Sequence, residues 1–288
     1  MAPAKTKHAI VCPNCGKLIS ADAEECIHCG IKNPGRPGLF TFAQKIFSRS
    51  LDFVDIITYF CVGLYVIALL IDLPGALSPR GGILNFLSPS SKSLIILGMT
   101  GKWFMELGRY WTLITAIYLH GGVLHILFNM LWIRQLGPMV EDIFGTSRFI
   151  LIFTISGVAG FILSTAFLSN PTIGASGSIF GLLGALIYYG RARGGVFGQI
   201  VYPQLLNWAV VMFLFGFFFP AVNNLAHLGG FIGGYAAGHI LSYQERSWEN
   251  SNHKRLATIA IGLTVLAFVI VIITIPRSLD LYYRYVSH

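Results

Sequence analysis

Seven apolar stretches recur along the chain, at residues 53–71, 113–133, 149–168, 174–190, 204–219, 222–241 and 257–275. Each approaches the ~20 residues a helix needs to cross the hydrocarbon core. The pattern therefore predicts an all-α polytopic membrane protein. The fourth to sixth stretches are interrupted by Gly, Ser, Asn and His, which predicts helices packed inside a bundle. The seventh, "LATIAIGLTVLAFVIVIITI", carries almost no polar side chain and reads as a lipid-facing span. The first 50 residues are polar and basic, without an apolar stretch near Met1. No secretory signal peptide is therefore expected, and the first span is expected to act as an uncleaved anchor.

Composition supports the membrane reading. The chain of 288 residues is 55% hydrophobic and 11% charged, where a soluble domain carries about 25% charged residues. The distribution of Lys and Arg sets the expected orientation. Seven lie in the first 50 residues, two at 134–148, two at 191–193 and three at 242–256. The alternate segments hold four at 72–110 and two in the C-terminal tail. Fourteen against six predicts a cytoplasmic N-terminus and an external C-terminus. The net charge of +8 is thus topological, with some attraction to anionic lipid, and nucleic acid is not an expected partner.

Residues 12–15 read "CPNC" and residues 26–29 read "CIHC". Two Cys-x-x-Cys knuckles at this spacing predict a zinc ribbon, with Cys12, Cys15, Cys26 and Cys29 closing a tetrahedral structural site. Two disulfides are the competing reading, which a cytoplasmic position disfavours. A module of about 30 residues lacks a core of its own, so the metal would supply its folding free energy. The expected organisation is a ribbon at 1–33 and a linker at 34–50. A six-span core at 51–242 and a C-terminal part at 243–288, with the seventh span and a tail, complete it. Within the linker, "LFTFAQKIFSRS" has helical apolar spacing; it either lies in the interface or extends the first span.

Polar side chains in a membrane need a partner or a task. His120, His125 and Asn129 belong to the second span, Ser176 to the fourth and His227 to the sixth. His125 and Asn129 are four apart and share a helix face. In the charge-derived topology these three spans start at the outer surface. With the second helix beginning near Gly121 or Gly122, and at 1.5 Å per residue, His125, Asn129, Ser176 and His227 then lie within roughly 12 Å of that surface. "HLGGFIGGYAAG" places Gly230, Gly234 and Gly238 at four-residue spacing, and Gly177 and Gly181 repeat it on the fourth span. Small-xxx-small faces let backbones approach, which would bring the Ser176 hydroxyl to the His227 ring as nucleophile and base. Taken singly, each residue has a plainer reading: a transmembrane Ser bonds its own helix carbonyls, and a His can be a satisfied core residue, a proton relay or a metal ligand.

The chain resembles the rhomboid intramembrane serine proteases over residues 51–242. The resemblance is carried by "GASG" around Ser176, "AHLGG" around His227 and "HGGVLHILFN" from His120 to Asn129, in the family's order and on its second, fourth and sixth helices. It implies Ser176 as nucleophile and His227 as general base, without an acid. His125, Asn129 and the Ser176 backbone amide would form the oxyanion hole, and Gly174 would keep it open. His120 is implied to be structural. The family's tyrosine four residues after the serine is Phe180 here, keeping the aromatic face and losing the hydroxyl. The family's Trp-Arg pair in the first loop appears as Trp111-Thr112, with Arg109 nearby.

The loop at 72–110, too apolar for a solvated tether, should carry short helices of its own. The resemblance further implies that the fifth span is a substrate gate. Implied partners are transmembrane protein substrates, the bilayer and a protein that the ribbon binds, and the expected location is a prokaryotic inner membrane. No cofactor beyond structural zinc is expected. Two other readings compete: an inactive rhomboid-like escort of membrane clients, whose relatives usually lack the serine or the histidine, and a transporter or channel. The transporter would want ionisable groups through the full depth of the bilayer, and inverted repeats are not evident.

Overall fold

The computed structural model describes residues 9–12, 18–28, 52–77, 87–219 and 222–286. It divides into two units, Met1–Asp52 and Phe53–His288.

In the first unit, β1 (Ala9–Val11) and β2 (Leu18–Ser20) pair antiparallel, with Ile10 opposite Ile19. Cys12, Ile19 and Cys26 are buried together, and Ile10 packs on them. Among the described residues of this unit, two thiols and one isoleucine are too little apolar area to hold a fold alone. Cys15, Cys29 and the linker helix expected near 39–50 lie outside the described residues.

The second unit is helical. Seven helices of 18 residues or more occur among the described residues: α1 (Phe53–Ile71), α6 (Val123–Phe144), α7 (Thr146–Phe167), α8 (Ser176–Arg193), α9 (Gly195–Phe215), α10 (Asn224–Leu241) and α11 (Ser251–Ile273). Five spans in this unit, including Phe53–Ile71 and Ser251–Ile273, are long and apolar enough to cross a membrane. Between α1 and α6 the described residues hold four short helices: α2 (Leu73–Ala76), α3 (Ser91–Ile96), α4 (Lys102–Glu106) and α5 (Thr112–Thr115). A loop of this length holds buried residues only by satisfying its own backbone, and short helices do so. A final helix, α12 (Ile275–Val286), follows α11 directly.

The boundaries of two spans differ from those predicted. The second apolar window opens at 113, but its helix starts at Val123, next to the Gly121-Gly122 pair from which the depth of His125 was counted; a 3₁₀ turn at Ala116–Tyr118 precedes that pair. It also runs through the expected loop at 134–148 as far as Phe144, where Gly145 ends it at φ +91°. Hydropathy marks where lipid ends, not where a helix does. For the same reason α9 begins at Gly195, nine residues before its apolar window.

Helices α7, α8 and α10 form the centre, and glycine decides their separation. A Cβ on Gly230 would lie 2.0 Å from the Gly177 carbonyl oxygen, and one on Gly234 would lie 2.0 Å from that of Gly181. The third partner in this packing is α7: a Cβ on Gly160 would stand 2.4 Å from the Ala226 carbonyl oxygen. Backbones in direct contact gain dispersion energy that lipid cannot match. Helix α11 buries only Ala257, Ala267 and Val271, as befits a lipid-facing span.

At the end of the bundle opposite Ser176, Arg148 is fully buried. Its guanidinium donates to the carbonyls of Phe144, Ser247 and Trp248, at 3.3, 2.8 and 3.0 Å. Glu249 accepts from the Arg148 amide at 3.0 Å. An arginine counted from sequence as a loop charge is thus a clamp between the α6–α7 turn and the segment after α10. Removing it would release all three carbonyls, and leaving the buried one of Phe144 without its donor would cost about 1–3 kcal/mol.

Candidate active site

Ser176 is the first residue of α8, and the segment before it is held from two sides. Thr172 pairs with Thr100 through both backbone groups, with N···O distances of 2.7 and 3.3 Å. The Gly174 amide donates to the Ala116 carbonyl at 2.8 Å. Gly174 itself sits at φ +118°, a conformation that glycine adopts without a Cβ penalty. Ser176 is partly exposed, so its hydroxyl is reachable.

His227 is the fourth residue of α10, and its helix start is well specified. The Asn223 side chain accepts from the Ala226 amide at 3.0 Å, which makes it the N-cap. The Nδ2 of the Asn223 side chain donates to Ser164 Oγ at 2.6 Å and to Thr172 Oγ1 at 3.1 Å. One asparagine therefore ties the segment leading to Ser176 to the helix bearing His227. No sequence argument singled it out, although a polar Asn ahead of an apolar run is an N-cap signal.

With both helix starts fixed, His227 Nε2 lies 2.9 Å from Ser176 Oγ. Phe180, one turn after Ser176, stacks on the imidazole with ring centroids 4.3 Å apart and planes inclined by 16°. His227 is 7% exposed, and its Nδ1 has no hydrogen-bond partner among the described residues. The ring is oriented by stacking and by one hydroxyl rather than by a carboxylate.

His125 is on the first turn of α6, and its Nδ1 accepts from the Gly121 amide at 3.3 Å. In the neutral ring the proton must then sit on Nε2. That nitrogen faces the serine segment: a Cβ on Gly174 would be 2.6 Å from it. His120 is buried at 1% exposure, and its ring meets that of His125 at 5.1 Å, edge to face. Asn129, 5% exposed, donates one amide hydrogen to the His125 carbonyl at 2.7 Å. A primary amide has two hydrogens, so one remains for a further acceptor. All the residues singled out around Ser176 are thus gathered at one end of the bundle, and Gly230 and Gly234 supply the close packing beneath.

Residues 107–244 match the Rhomboid domain. Similar proteins include the Rhomboid protease GluP of Bacillus subtilis (strain 168), 35% identical over 154 residues. That match covers 54% of this chain and 30% of GluP. RHOMBOID-like protein 6, mitochondrial, of Arabidopsis thaliana is 36% identical over 182 residues, covering 57% of this chain and 55% of the relative. The Putative rhomboid protease YdcA of B. subtilis is 36% identical over 130 residues, covering 44% and 65%. The chain spans less than two thirds of each of these relatives' lengths.

Proposed function

We infer that this integral membrane protein, whose residues 107–244 carry a rhomboid domain, is an intramembrane serine endopeptidase that cuts transmembrane segments of other proteins near the outer leaflet. The observation that carries the reading is the 2.9 Å approach of His227 Nε2 to Ser176 Oγ, with Phe180 stacked beneath the imidazole. Similarity to named rhomboid proteases supports it.

In this reading Ser176 Oγ attacks the scissile carbonyl while His227 Nε2 takes the hydroxyl proton, then delivers it to the leaving amine. Nδ1 keeps its own proton throughout. Three donors meet the charge that develops on the carbonyl oxygen. His125 Nε2–H is directed by the bond that occupies Nδ1. The second hydrogen of the Asn129 amide is the next donor. The Ser176 backbone N–H, at the first position of α8, has no partner within its helix and lies at the positive end of the helix dipole. The fifth long helix, α9, is the substrate gate of this scheme. Among its described side chains it buries only Leu205 and Ala209, and Trp208 meets Trp132 of α6 edge to face at 5.6 Å. An incoming helix would part that pair.

The N-terminal unit is read as a zinc ribbon with Cys12, Cys15, Cys26 and Cys29 as ligands. Burial of Cys12 and Cys26 in one cluster behind a hairpin fits thiolate ligation. The metal would give structural stability and no catalysis. The N-terminus is assigned to the cytoplasm of a prokaryotic inner membrane, on the fourteen-to-six bias of Lys and Arg.

The test is cleavage of a single-pass transmembrane substrate by protein reconstituted in liposomes. Ser176→Ala and His227→Ala should each abolish cleavage while the helical content stays that of the wild type. Cleavage by Ser176→Ala at the wild-type rate would refute the reading.

A further inference from the structure

The tail after the last long helix, for which no element was predicted, forms α12, and one of its faces is occupied. Ser278 is fully buried and Tyr282, one turn on, is partly buried against the core. Arg277, Asp280, Tyr283 and Arg284 are exposed on the other side, with Asp280 and Arg284 paired at 2.9 Å. The buried face lies on α3, within the loop between α1 and α6.

At this contact lies Arg109, only 4% exposed. A guanidinium stays charged in proteins and must find acceptors when buried. Phe104 and Trp111 flank its charge, with ring centroids 5.7 and 5.6 Å from Cζ. Its Nη2 donates to Ser278 Oγ at 2.8 Å, across 169 residues of sequence. Ser278 in turn donates to the Thr274 carbonyl at 3.1 Å, which leaves the oxygen lone pairs turned to the arginine.

From Arg109 the bonding continues toward the serine. The Arg109 carbonyl accepts from Thr112 Oγ1 at 2.7 Å, and Thr112 Oγ1 also meets Thr100 Oγ1 at 3.1 Å. Thr100 pairs through its backbone with Thr172, four residues before Ser176. Thr100 and Thr112 are both fully buried, so each link is shielded from competing water.

We propose that α12 is a strap on the catalytic unit: Ser278 holds Arg109 and thereby fixes the first loop and the segment that presents Ser176. Ser278 and Arg109 are positioning residues, since neither touches the reacting atoms. The consequence for cleavage rests on the peptidase reading; the consequence for the serine segment does not.

The experiment compares Ser278→Thr with Ser278→Val in the full chain in nanodiscs. The two side chains have the same shape and differ in the hydroxyl alone, so any packing defect from the added bulk is common to both. Hydrogen exchange is read at the Thr100 and Thr172 amides, and kcat/KM on a transmembrane substrate. Ser278→Val should exchange at both amides about tenfold faster than Ser278→Thr, with a similar fold loss of kcat/KM, the size expected for one hydrogen bond to a charged group. Equal exchange in the two variants would overturn the strap. Faster exchange with equal kcat/KM would confine it to loop stability and overturn its role in cleavage. If wild type does not cleave at all, the peptidase reading fails while the exchange difference still decides the strap.

Discussion

At the scale of single residues, the site depends on which atoms are left without a hydrogen-bond partner and which are not. His125 has its Nδ1 engaged by the Gly121 amide, which turns an ambiguous imidazole into a directed Nε2–H donor. Gly174 is the counterpart, since it leaves the space in front of that donor open. Gly174→Ala would place a methyl 2.6 Å from Nε2 at φ +118°. It should lower kcat/KM at least as far as His125→Ala, by roughly 10²–10³, the usual effect of one lost oxyanion donor. Steady-state cleavage of a transmembrane substrate measures this, and a loss under about threefold in both variants would contradict the assigned hole. Serine, histidines and Asn129 were legible in the sequence because polar residues in apolar spans are conspicuous. Asn223 and Ser278 were not singled out: Asn223 offered only the N-cap signal at the edge of its span, and Ser278 stands beyond the last span, where a polar residue is ordinary. Their importance comes from partners 51 and 169 residues away.

At the scale of elements, the seven long helices among the described residues were legible from long apolar windows, of which five are long and apolar enough to cross a membrane. Their ends were less so. Helix α6 continues past its apolar window to Phe144, and α9 starts nine residues before its own. The glycine spacing on α8 and α10 foretold their contact, and Gly230 and Gly234 meet the backbone of α8 as that spacing requires. Gly157 and Gly160 of α7 join the same packing, with Ser178 Oγ 2.5 Å from a Cβ built on Gly157. "SGVAG" in the third span carried that signal, in a stretch otherwise too uniformly apolar to show a face. The short helices of the first loop were foreseen from its length and apolar content, whereas α12 was not. Its apolar and polar faces alternate over only 12 residues, too short to stand out beside a 23-residue span.

At the scale of the molecule, the chain joins a small cysteine-bearing unit to a helical one. If four thiolates hold zinc in the first unit, the metal is its main source of folding free energy. The purified chain should then carry one zinc ion, and Cys12→Ser should release it. Atomic absorption reads the metal, and protease resistance of the N-terminal residues should fall with it. The helical unit should cleave substrate as before, because its core contains none of these ligands; retained zinc in Cys12→Ser would remove the ribbon reading. The account of the helical unit rests finally on one hydroxyl made nucleophilic by one imidazole. The direct measurement is labelling of detergent-solubilised protein with a fluorophosphonate, followed by mass-spectrometric mapping of the adduct. The adduct should sit on Ser176 and be absent from both Ser176→Ala and His227→Ala. Undiminished labelling of Ser176→Ala, or wild-type protein that never reacts, would contradict it.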